Sequence, residues 1–292
     1  MHFRLRRYRF HFRAGGPLFV PPGKAGNLVR GAFGIILRGL ACNPACPGAR
    51  ECPGRGSCAY AALFEPHAGD SPSGFADPPR PFVIRASGLD GRRIAAGERF
   101  HFDIHLFDWR NPRLEWFIRV FERLGTEGFG PGRAPAVLAS IEPLDGGLTE
   151  VSLAPSGGPV TRLAVEFVSP TELKSGGGLV SRPEFGVLLA RIRDRLSTLS
   201  ALYGEGPLPI DFTGLGERAA AARLVSADLA GESVERFSTR TRQSHPLGGF
   251  TGRALYEGEL GEFVPYLIAG GYCGVGRQTV WGKGEIRVSG LQ

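Results

Sequence analysis

Residues 160–203 read VTRLAVEFVSPTELKSGGGLVSRPEFGVLLARIRDRLSTLSALY, and this stretch decides the fold class. Its first part, Val160–Val168, is apolar and rich in β-branched residues, which predicts a strand. Ser181-Arg-Pro-Glu184 has the spacing of a capping box and predicts the start of a helix that runs to Tyr203. The helix has one apolar side, because hydrophobic residues recur along it at helical spacing. They are Phe185, Leu188, Leu189, Ile192, Leu196 and Leu199.

Elements of the same kind continue in both directions from this stretch. Downstream, the patterns predict strands at about 223–237 and 250–260, a short helix near 262–269 and a last strand at 279–288. Upstream, they predict a strand at 2–13, a helix at 26–41, strands at 81–87 and 98–107, a helix from Asn111-Pro112 and a strand at 129–142. Each half thus reads strand, helix, strand, strand, helix, strand. This is the order of the ferredoxin-like fold, which RNA-recognition domains share.

The fold class expected from this repeat is α+β, with two tandem ferredoxin-like (RRM-like) β-α-β-β-α-β domains. We expect an N-terminal domain at 1–150 and a C-terminal domain at 151–292, because residues 145–159 are rich in glycine and proline. The first domain is expected to carry a cysteine-rich insertion at about 42–80. Its proline and glycine content is too high for regular secondary structure.

The charge of the chain is unevenly distributed. Its 292 residues carry a formal net charge of +7, from 35 Lys and Arg against 28 Asp and Glu, and only three of the basic residues are lysines. Residues 1–60 carry +9, and the rest of the chain carries −2. A GC-rich genome would explain the excess of arginine over lysine but not this asymmetry. The asymmetry indicates a polyanionic partner.

Composition excludes several other classes of protein. A hydrophobic fraction of 42% supports a packed core, so the chain is not disordered overall. No apolar run reaches the roughly 18–20 residues that span a bilayer. The basic N-terminus is not followed by the apolar stretch of a secretory signal. We therefore expect a cytoplasmic protein without a membrane partner.

Four of the five cysteines lie close together, at Cys42, Cys46, Cys52 and Cys58. In a protein that is not exported, such a cluster indicates metal binding before it indicates disulfides. The intervals of three, five and five residues differ from the paired CxxC of a zinc ribbon, but four thiolates could still hold a structural zinc ion. An iron–sulfur cluster and unligated thiols are the alternatives. The isolated Cys273 is expected to be a buried free thiol.

The densest glycine segment is GGYCGVGRQTVWGKG at 270–284. Gly271 and Gly276 have the spacing of a phosphate-binding P-loop, but Arg277 and Gln278 stand where that motif needs lysine and then serine or threonine. We therefore exclude a P-loop. The segment is expected to form a loop whose backbone could approach phosphates, flanked by Arg277 and Lys283. The alternative is a glycine-rich turn that tightens a hairpin.

A second segment with chemistry-bearing residues precedes it at 236–252. Three arginines, Arg236, Arg240 and Arg242, stand before His245. His245 could act as a general acid or base, with arginines stabilising charge on phosphorus. Alternatively, a lone histidine before a proline is a turn residue.

Together, several motifs resemble those of the CRISPR-associated pre-crRNA processing endoribonucleases of the RAMP superfamily. The resemblance covers nearly the whole chain and keeps the order of the motifs, and the glycine segment is its most specific part. The motifs are LVRGAFGIILRGLAC (28–42), CAYAALFEP (58–66), FVSPTELK (167–174), the Pro183-Glu-Phe185 helix start, RTRQ (240–243), GGFTG (248–252) and the segment 270–284.

This resemblance implies two ferredoxin-like domains that bind the repeat of precursor crRNA along a basic face and retain mature crRNA. It implies one cut per repeat, without a catalytic metal or other cofactor. A ribose 2′-OH attacks the adjacent phosphate and leaves a 2′,3′-cyclic phosphate and a 5′-OH. Other CRISPR effector-complex subunits would be protein partners. The RNA-binding residues that we predict are Arg4, Arg6, Arg7, Arg9, Arg240, Arg242, Gly274, Gly276, Arg277, Gly282, Lys283 and Gly284.

The sequence departs from the family at one point. Members often use a histidine near the first helix as the general acid or base, and this chain has none between His11 and His67. The candidate catalytic residues are therefore His245, Lys24, Arg38 and Arg30, which would act by positioning and charge stabilisation. The alternative is a non-catalytic RNA-binding subunit that holds the 3′ hairpin of the crRNA in an effector complex.

Overall fold

The computed structural model of the chain describes residues 1–42, 48, 51–66, 78–155, 158–232, 235–237, 244–246 and 248–292. For Glu232 and for residues 235–237 and 244–246 it describes the backbone alone. The described part is a mixed α/β structure with two four-stranded antiparallel arrangements, one in each half of the chain. Within it, no helix is long and apolar enough to cross a membrane.

The N-terminal half is built on a sheet with helices packed against it. The strands lie in the order β3-β5-β1-β6, and β7 pairs with the first residues of β1. The elements are β1 (His2–Ala14), β2 (Leu18–Phe19), α1 (Ala25–Ala41), α2 (Ala59–Phe64), β3 (Phe82–Arg85), β4 (Arg93–Ile94), β5 (Arg99–Leu106), α3 (Leu114–Glu122), α4 (Leu124–Glu127), β6 (Ala136–Pro143) and β7 (Thr149–Ser152).

The C-terminal half has a sheet of the same order. Its strands lie as β11-β14-β8-β15, so in both halves the four main strands are arranged second, third, first, fourth. The elements are β8 (Arg162–Thr171), β9 (Lys174–Ser175), β10 (Gly178–Leu179), α5 (Phe185–Tyr203), α6 (Phe212–Ala221), β11 (Arg223–Glu232), β12 (Glu235–Phe237), β13 (Ser244–Pro246), β14 (Gly249–Glu257), α7 (Val264–Cys273) and β15 (Ile286–Ser289).

Strand β1 contributes to the cores of both halves. Phe3 and Leu5 are buried among the residues of the second core, whereas Tyr8, Phe10 and Phe12 are buried in the first. Successive side chains of a strand point to opposite faces, so the two groups lie on opposite faces of β1. The change of burial phase near Arg6 and Arg7 in the sequence therefore marks the place where the strand passes from one core to the other.

Three helices begin differently from the sequence expectation. Helix α1 begins at Ala25, whose N–H donates to Asp90 Oδ1 at 2.8 Å, so a distant side chain caps it. Helix α5 begins at Phe185, and no side chain caps it. The predicted capping box at Ser181–Glu184 was therefore wrong. Helix α3 begins at Leu114, after Arg113 in the left-handed region at φ 51°.

The end of the chain also differs from expectation. Helix α7 extends to Cys273, so the first residues of the glycine segment are helical rather than a loop. Residues Thr279–Trp281 form a short 3-10 turn, and the last strand is confined to Ile286–Ser289. The apolar residues after Arg277 pack as a turn rather than a strand, because glycines with left-handed backbone at Gly282 and Gly284 interrupt the extended chain.

We expect Phe33→Ala to lower the free energy of unfolding by about 3–5 kcal/mol, because truncation of a buried aromatic leaves a cavity. Phe33 is fully buried, and its ring centroid lies 4.7 Å from that of Phe117 and 5.3 Å from that of Phe82. The matched control is Ile35→Ala on the same helix, where the side chain is 73% exposed and the change should be within about 0.5 kcal/mol. Urea unfolding measures both, and equal losses would contradict the placement of α1.

Candidate functional site

A cleft of about 490 Å³ lies where helices α1 and α5 meet the glycine segment. Its lining is strongly cationic, since six basic side chains face two acidic ones, Glu172 and Asp194. Trp281 supplies an aromatic wall. The basic residues are Arg30, Arg80, Lys174, Arg191, Arg195 and Arg277. Clefts with walls of one charge sign concentrate the field and attract ligands of the opposite charge.

Helix α1 contributes Arg30 to this cleft. The Arg30 guanidinium carbon lies 4.4 Å from the ring centroid of Phe64 in α2 and 5.0 Å from that of Trp281. Guanidinium groups at such distances are attracted to aromatic faces, and the two rings thus fix the direction of the side chain. The other two catalytic candidates on α1 do not line the cleft. Lys24 lies at the N-terminal cap of the helix, and Arg38 is exposed in its last turn.

Helix α5 contributes Arg191 and Arg195, which lie one turn apart. Arg195 Nε donates to the carbonyl oxygen of Cys273 at 3.0 Å, which ties α5 to the end of α7. An Arg191 nitrogen lies 3.8 Å from Asp194 Oδ2. Burial lowers the pKa of Arg195, but arginine is so basic a side chain that it stays protonated at neutral pH. The cleft therefore keeps this positive charge.

The glycines of the segment contact protein backbone. A Cβ at Gly276 would lie 2.1 Å from the carbonyl oxygen of Glu172, and one at Gly284 would lie 2.0 Å from that of Val275. Gly274 and Gly284 are buried. Contacts within the chain therefore require glycine at positions 276 and 284. Contacts of RNA with Gly274, Gly276, Gly282, Gly284 and Arg277 stay a prediction.

Glu172 organises the two basic residues of the segment. Lys283 is 5% exposed, and its Nζ donates to the carbonyl oxygen of Gly248 at 2.5 Å and lies 3.5 Å from Glu172 Oε1. Arg277 is half-exposed, with Nη1 3.2 Å from Glu172 Oε2. Burial lowers the pKa of Lys283, and the nearby carboxylate opposes that shift. Lys283 thus supports the segment from inside, whereas Arg277 faces the cleft.

The four predicted RNA-binding arginines of β1 each have protein acceptors. Arg4 pairs with Glu150 and Glu205, and Arg6 donates to the carbonyl oxygens of Trp109 and Gly147. Arg7 donates to Asp145, and Arg9 makes a bidentate pair with Asp103 at 2.8 and 3.0 Å. None of the four lines the cationic cleft. Carboxylates offset the charge of Arg4, Arg7 and Arg9, whereas Arg6 has backbone carbonyl acceptors, and contact of the four with RNA stays a prediction.

Most of the second basic segment (236–252), up to residue 247, has no described side chains. Arg240 and Arg242 fall outside the described residues. His245 lies in β13, opposite Arg236 of β12, and only its backbone is described. Its catalytic role stays a prediction.

Two of the four clustered cysteines are adjacent. Cys42 Sγ and Cys58 Sγ lie 3.7 Å apart, and Cys52 is a free thiol in the turn before Cys58. Cys46 falls outside the described residues. Within the described ranges, no group of three or more His, Cys, Asp and Glu side chains is placed to hold a metal ion. Cys273 is a fully buried free thiol, as expected.

The C-terminal end of α7 receives three basic side chains. Arg85 Nη2 donates to the carbonyl oxygens of Gly271 and Tyr272 at 2.9 and 3.2 Å. His105 Nδ1 donates to the Tyr272 oxygen at 2.8 Å, and Arg195 binds the Cys273 oxygen as described above. Such donors satisfy carbonyls that have no partner within the helix and match the negative end of its dipole. The start of the glycine segment is thereby held in place.

Comparisons with known proteins agree with this architecture. A family model described as CRISPR-associated endoribonuclease Cas6 matches residues 165–286, which include α5, the cleft-lining glycine segment and both of its basic residues. This part of the chain is therefore similar to the endoribonuclease family that the model describes. A second family model, described as an N-terminal domain, matches residues 3–157. These matches confirm the resemblance seen in the sequence motifs.

Solved structures of Cas6 proteins have the same fold as this chain. A Thermus thermophilus Cas6 in complex with its product is 15% identical, with 98% of this chain and 100% of that chain covered at a TM-score of 0.60. A second Cas6 product complex is 20% identical, with the same coverage and a TM-score of 0.56. A partial Cas6-RT-Cas1–Cas2 complex is 13% identical over 99% of this chain and 48% of that chain, at 0.58. No curated protein sequence matches this chain.

Sequence reasoning missed several residues that line the cleft. The cleft is lined by four residues that the motifs did not identify as functional: Arg80, Arg191, Arg195 and Trp281. Of these, only Trp281 lies in a segment that the sequence analysis selected. Arg191 and Arg195 are four residues apart on α5, along the edge of its apolar side. That spacing places two positive charges on one flank of the helix and was the available signal.

We expect Gly276→Ala to lower the free energy of unfolding by more than Gly177→Ala does. Both glycines have left-handed backbone, at φ 78° and 84°, so both variants carry about 1–2 kcal/mol of backbone strain. Only the Gly276 Cβ would collide with backbone, because nothing lies within 4 Å of a Cβ at Gly177. Urea unfolding compares the two variants. Equal losses of unfolding free energy in the two variants would show that Gly276 does not pack against the backbone of Glu172.

We expect the unfolding free energy to fall below pH 6.5 because of His105. Burial and the nearby Arg85 hold the pKa of His105 well below 6.5, so the folded chain keeps it neutral while the unfolded chain protonates it. Stability is therefore complete above pH 6.5 and is lost as the pH falls. Between pH 7.5 and 5.5 the wild type should lose about 1.4 kcal/mol more than His105→Asn, which keeps an N–H donor without titrating. Urea unfolding measures both proteins across this pH range. If their unfolding free energies fell by equal amounts, His105 would not be the group responsible.

Proposed function

We propose that this chain is a CRISPR RNA maturation enzyme that binds the repeat of precursor crRNA and cleaves it once per repeat in the cationic cleft. The observation that carries the proposal is the convergence of six basic side chains at the junction of α1, α5 and the glycine segment. The match of residues 165–286 to a CRISPR-associated endoribonuclease family model supports the same reaction class. The strand order shared by both sheets supports two ferredoxin-like domains, the form that RNA-recognition domains use.

The reaction is a transesterification within the RNA. A ribose 2′-OH gives up its proton as its oxygen forms a bond to the adjacent phosphorus, the bond from phosphorus to the 5′-oxygen breaks, and the leaving oxygen takes up a proton. The products are a 2′,3′-cyclic phosphate and a 5′-OH. Negative charge grows on the phosphate oxygens in the transition state, and guanidinium groups fixed in advance stabilise it. No metal ion or other cofactor takes part in the step that we propose.

Among the four catalytic candidates, Arg30 has the strongest structural support. It lines the cleft, and the rings of Phe64 and Trp281 hold its guanidinium in one direction. Arg277 and Arg195 lie on the other walls of the same cleft. In this proposal Arg30 and Arg277 contact the scissile phosphate, and Lys174 contacts the neighbouring RNA backbone. Alignment of the 2′-oxygen with the bond that breaks supplies part of the rate enhancement.

The cleavage assay uses purified protein, repeat RNA from its own locus and EDTA. We expect one discrete cut whose upstream product carries a cyclic phosphate. Binding with uncut RNA under these conditions would instead support the non-catalytic subunit that retains the crRNA 3′ hairpin. The Cas6-RT-Cas1–Cas2 neighbour supports the further proposal that other CRISPR proteins bind this chain.

We expect Arg30→Ala to lower the single-turnover cleavage rate by about 10²–10³-fold, because it removes one charged donor from the transition state. RNA affinity, measured by filter binding, should change far less. The matched control is Arg119→Ala in α3, which removes an arginine stacked on Trp116 at 5.0 Å, outside the cleft. It should cleave at the wild-type rate. Equal rates for wild type and Arg30→Ala would exclude Arg30 from the reaction.

A further inference from the structure

Trp281 lines the cationic cleft and contributes to neither hydrophobic core of the described chain. Its side chain is partly exposed. By contrast, Trp116 of α3 is also partly exposed but packs against the first core. Large aromatic side chains that lie outside a core are typical of binding surfaces, where the ring contacts a partner. The cleft therefore presents an aromatic ring as well as positive charge to a ligand.

Contacts on both sides fix the backbone of Trp281. The 3-10 turn Thr279–Trp281 follows Gln278, whose backbone is left-handed, and the Trp281 N–H donates to the Gln278 carbonyl oxygen at 2.9 Å. The Trp281 carbonyl oxygen lies against α1, where a Cβ on Gly26 would come within 2.4 Å of it. The indole lies beside Arg30, whose guanidinium carbon is 5.0 Å from the ring centroid. The ring is thus in place before RNA binds.

The proposed cleavage reaction needs a nucleotide that has left helical geometry. In-line attack aligns the 2′-oxygen, the phosphorus and the leaving 5′-oxygen, and the regular stacked geometry of an A-form RNA helix does not provide this alignment. The nucleotide at the cut is therefore unstacked from its neighbour, and its base needs another surface. Bases that are splayed out of single strands stack on aromatic side chains. The cleft, at about 490 Å³, has room for more than a phosphate group.

We propose that the cleft receives an unpaired nucleotide and that the base next to the scissile phosphate stacks on the indole ring of Trp281. The inference rests on the proposed cleavage reaction and narrows its substrate to RNA that is single-stranded at the cut. Basic side chains, Arg30 among them, contact the phosphate of this nucleotide, while the ring contacts its base. Because every base has an aromatic face, stacking holds the nucleotide without selecting one base. This division of contacts explains why an aromatic ring stands among basic side chains.

RNA that lacks single bases tests the proposal. The repeat RNA of the protein's own locus carries a 2′-deoxy nucleotide at the cut, so that it binds without being cleaved, and a series of RNAs removes the base from one position at a time. Trp281→Ala should weaken binding of the intact RNA by about 5–150-fold, the usual effect of losing one stacked base. Removal of the base beside the cut should weaken wild-type binding equally. On that RNA, Trp281→Ala should cause no further loss.

Affinity is measured rather than rate, because loss of the ring would also release Arg30. The matched control is Trp116→Ala, which removes a tryptophan outside the cleft and should bind each RNA with the wild-type affinity. Trp281→Phe keeps an aromatic face and should restore most of the binding. Independent, additive losses at every position of the RNA overturn the proposal. Coupling confined to a base remote from the cut also overturns it.

Fluorescence of Trp281 gives a measurement that needs no cleavage. The chain has three tryptophans, so Trp109→Phe/Trp116→Phe leaves Trp281 as the only one. We expect its emission to be quenched when the intact RNA binds, and to stay unchanged when the bound RNA lacks the base whose removal matches Trp281→Ala. Quenching without cleavage of unmodified RNA would retain the stacking site and exclude the proposed reaction. Unchanged emission with bound intact RNA would overturn the stacking site, whether or not the RNA is cut.

Discussion

The close contact of two glycines, Gly26 and Gly282, holds the two halves of the molecule in register. A Cβ on Gly26 in α1 would lie 2.4 Å from the carbonyl oxygen of Trp281, and one on Gly282 would lie 3.1 Å from the Gly26 Cα. Backbone therefore packs on backbone at this point, and any side chain would separate α1 from the glycine segment. Arg30 lies one turn further along α1, so the width of the cleft depends on this contact.

The same junction explains why many basic side chains bind other parts of the protein and thereby stabilise the fold. Arg85 and His105 come from the first sheet, yet both donate to carbonyl oxygens at the end of α7 in the second half. Buried donors without carboxylate partners are tolerated there because the helix end presents unsatisfied acceptors. The net charge of +7 is thus a poor guide to the RNA-binding surface. Charge that has protein acceptors aligns elements, and this holds within the cleft too, where Arg195 donates to the carbonyl oxygen of Cys273 and Arg277 pairs with Glu172.

Local pattern predicted much of the fold, and long-range contacts account for the differences. Helices α1 and α5 and strands β5 and β14 follow their apolar periodicity, since each buries one face. Periodicity could not show that Phe3 and Leu5 pack in the second core, because burial in a distant domain leaves the same alternation in sequence. Likewise, the glycine spacing of 270–284 marked an important segment. It could not tell a phosphate from the carbonyl oxygen of Glu172 as the group that comes close.

The lining of the cleft constrains how the cleavage that we propose could be accelerated. Its described residues include no histidine, cysteine or tyrosine, so the side chains that most often transfer protons in such reactions are not among them. What the described lining supplies is fixed positive charge, some of it, as at Arg30 and Arg277, oriented by rings or by a buried carboxylate. Charge fixed before the substrate arrives needs no reorganisation as the transition state forms. An RNA held with its 2′-oxygen in line would then react through alignment and charge stabilisation. In such a site the rings and backbone contacts that orient the guanidinium groups matter as much as the groups themselves.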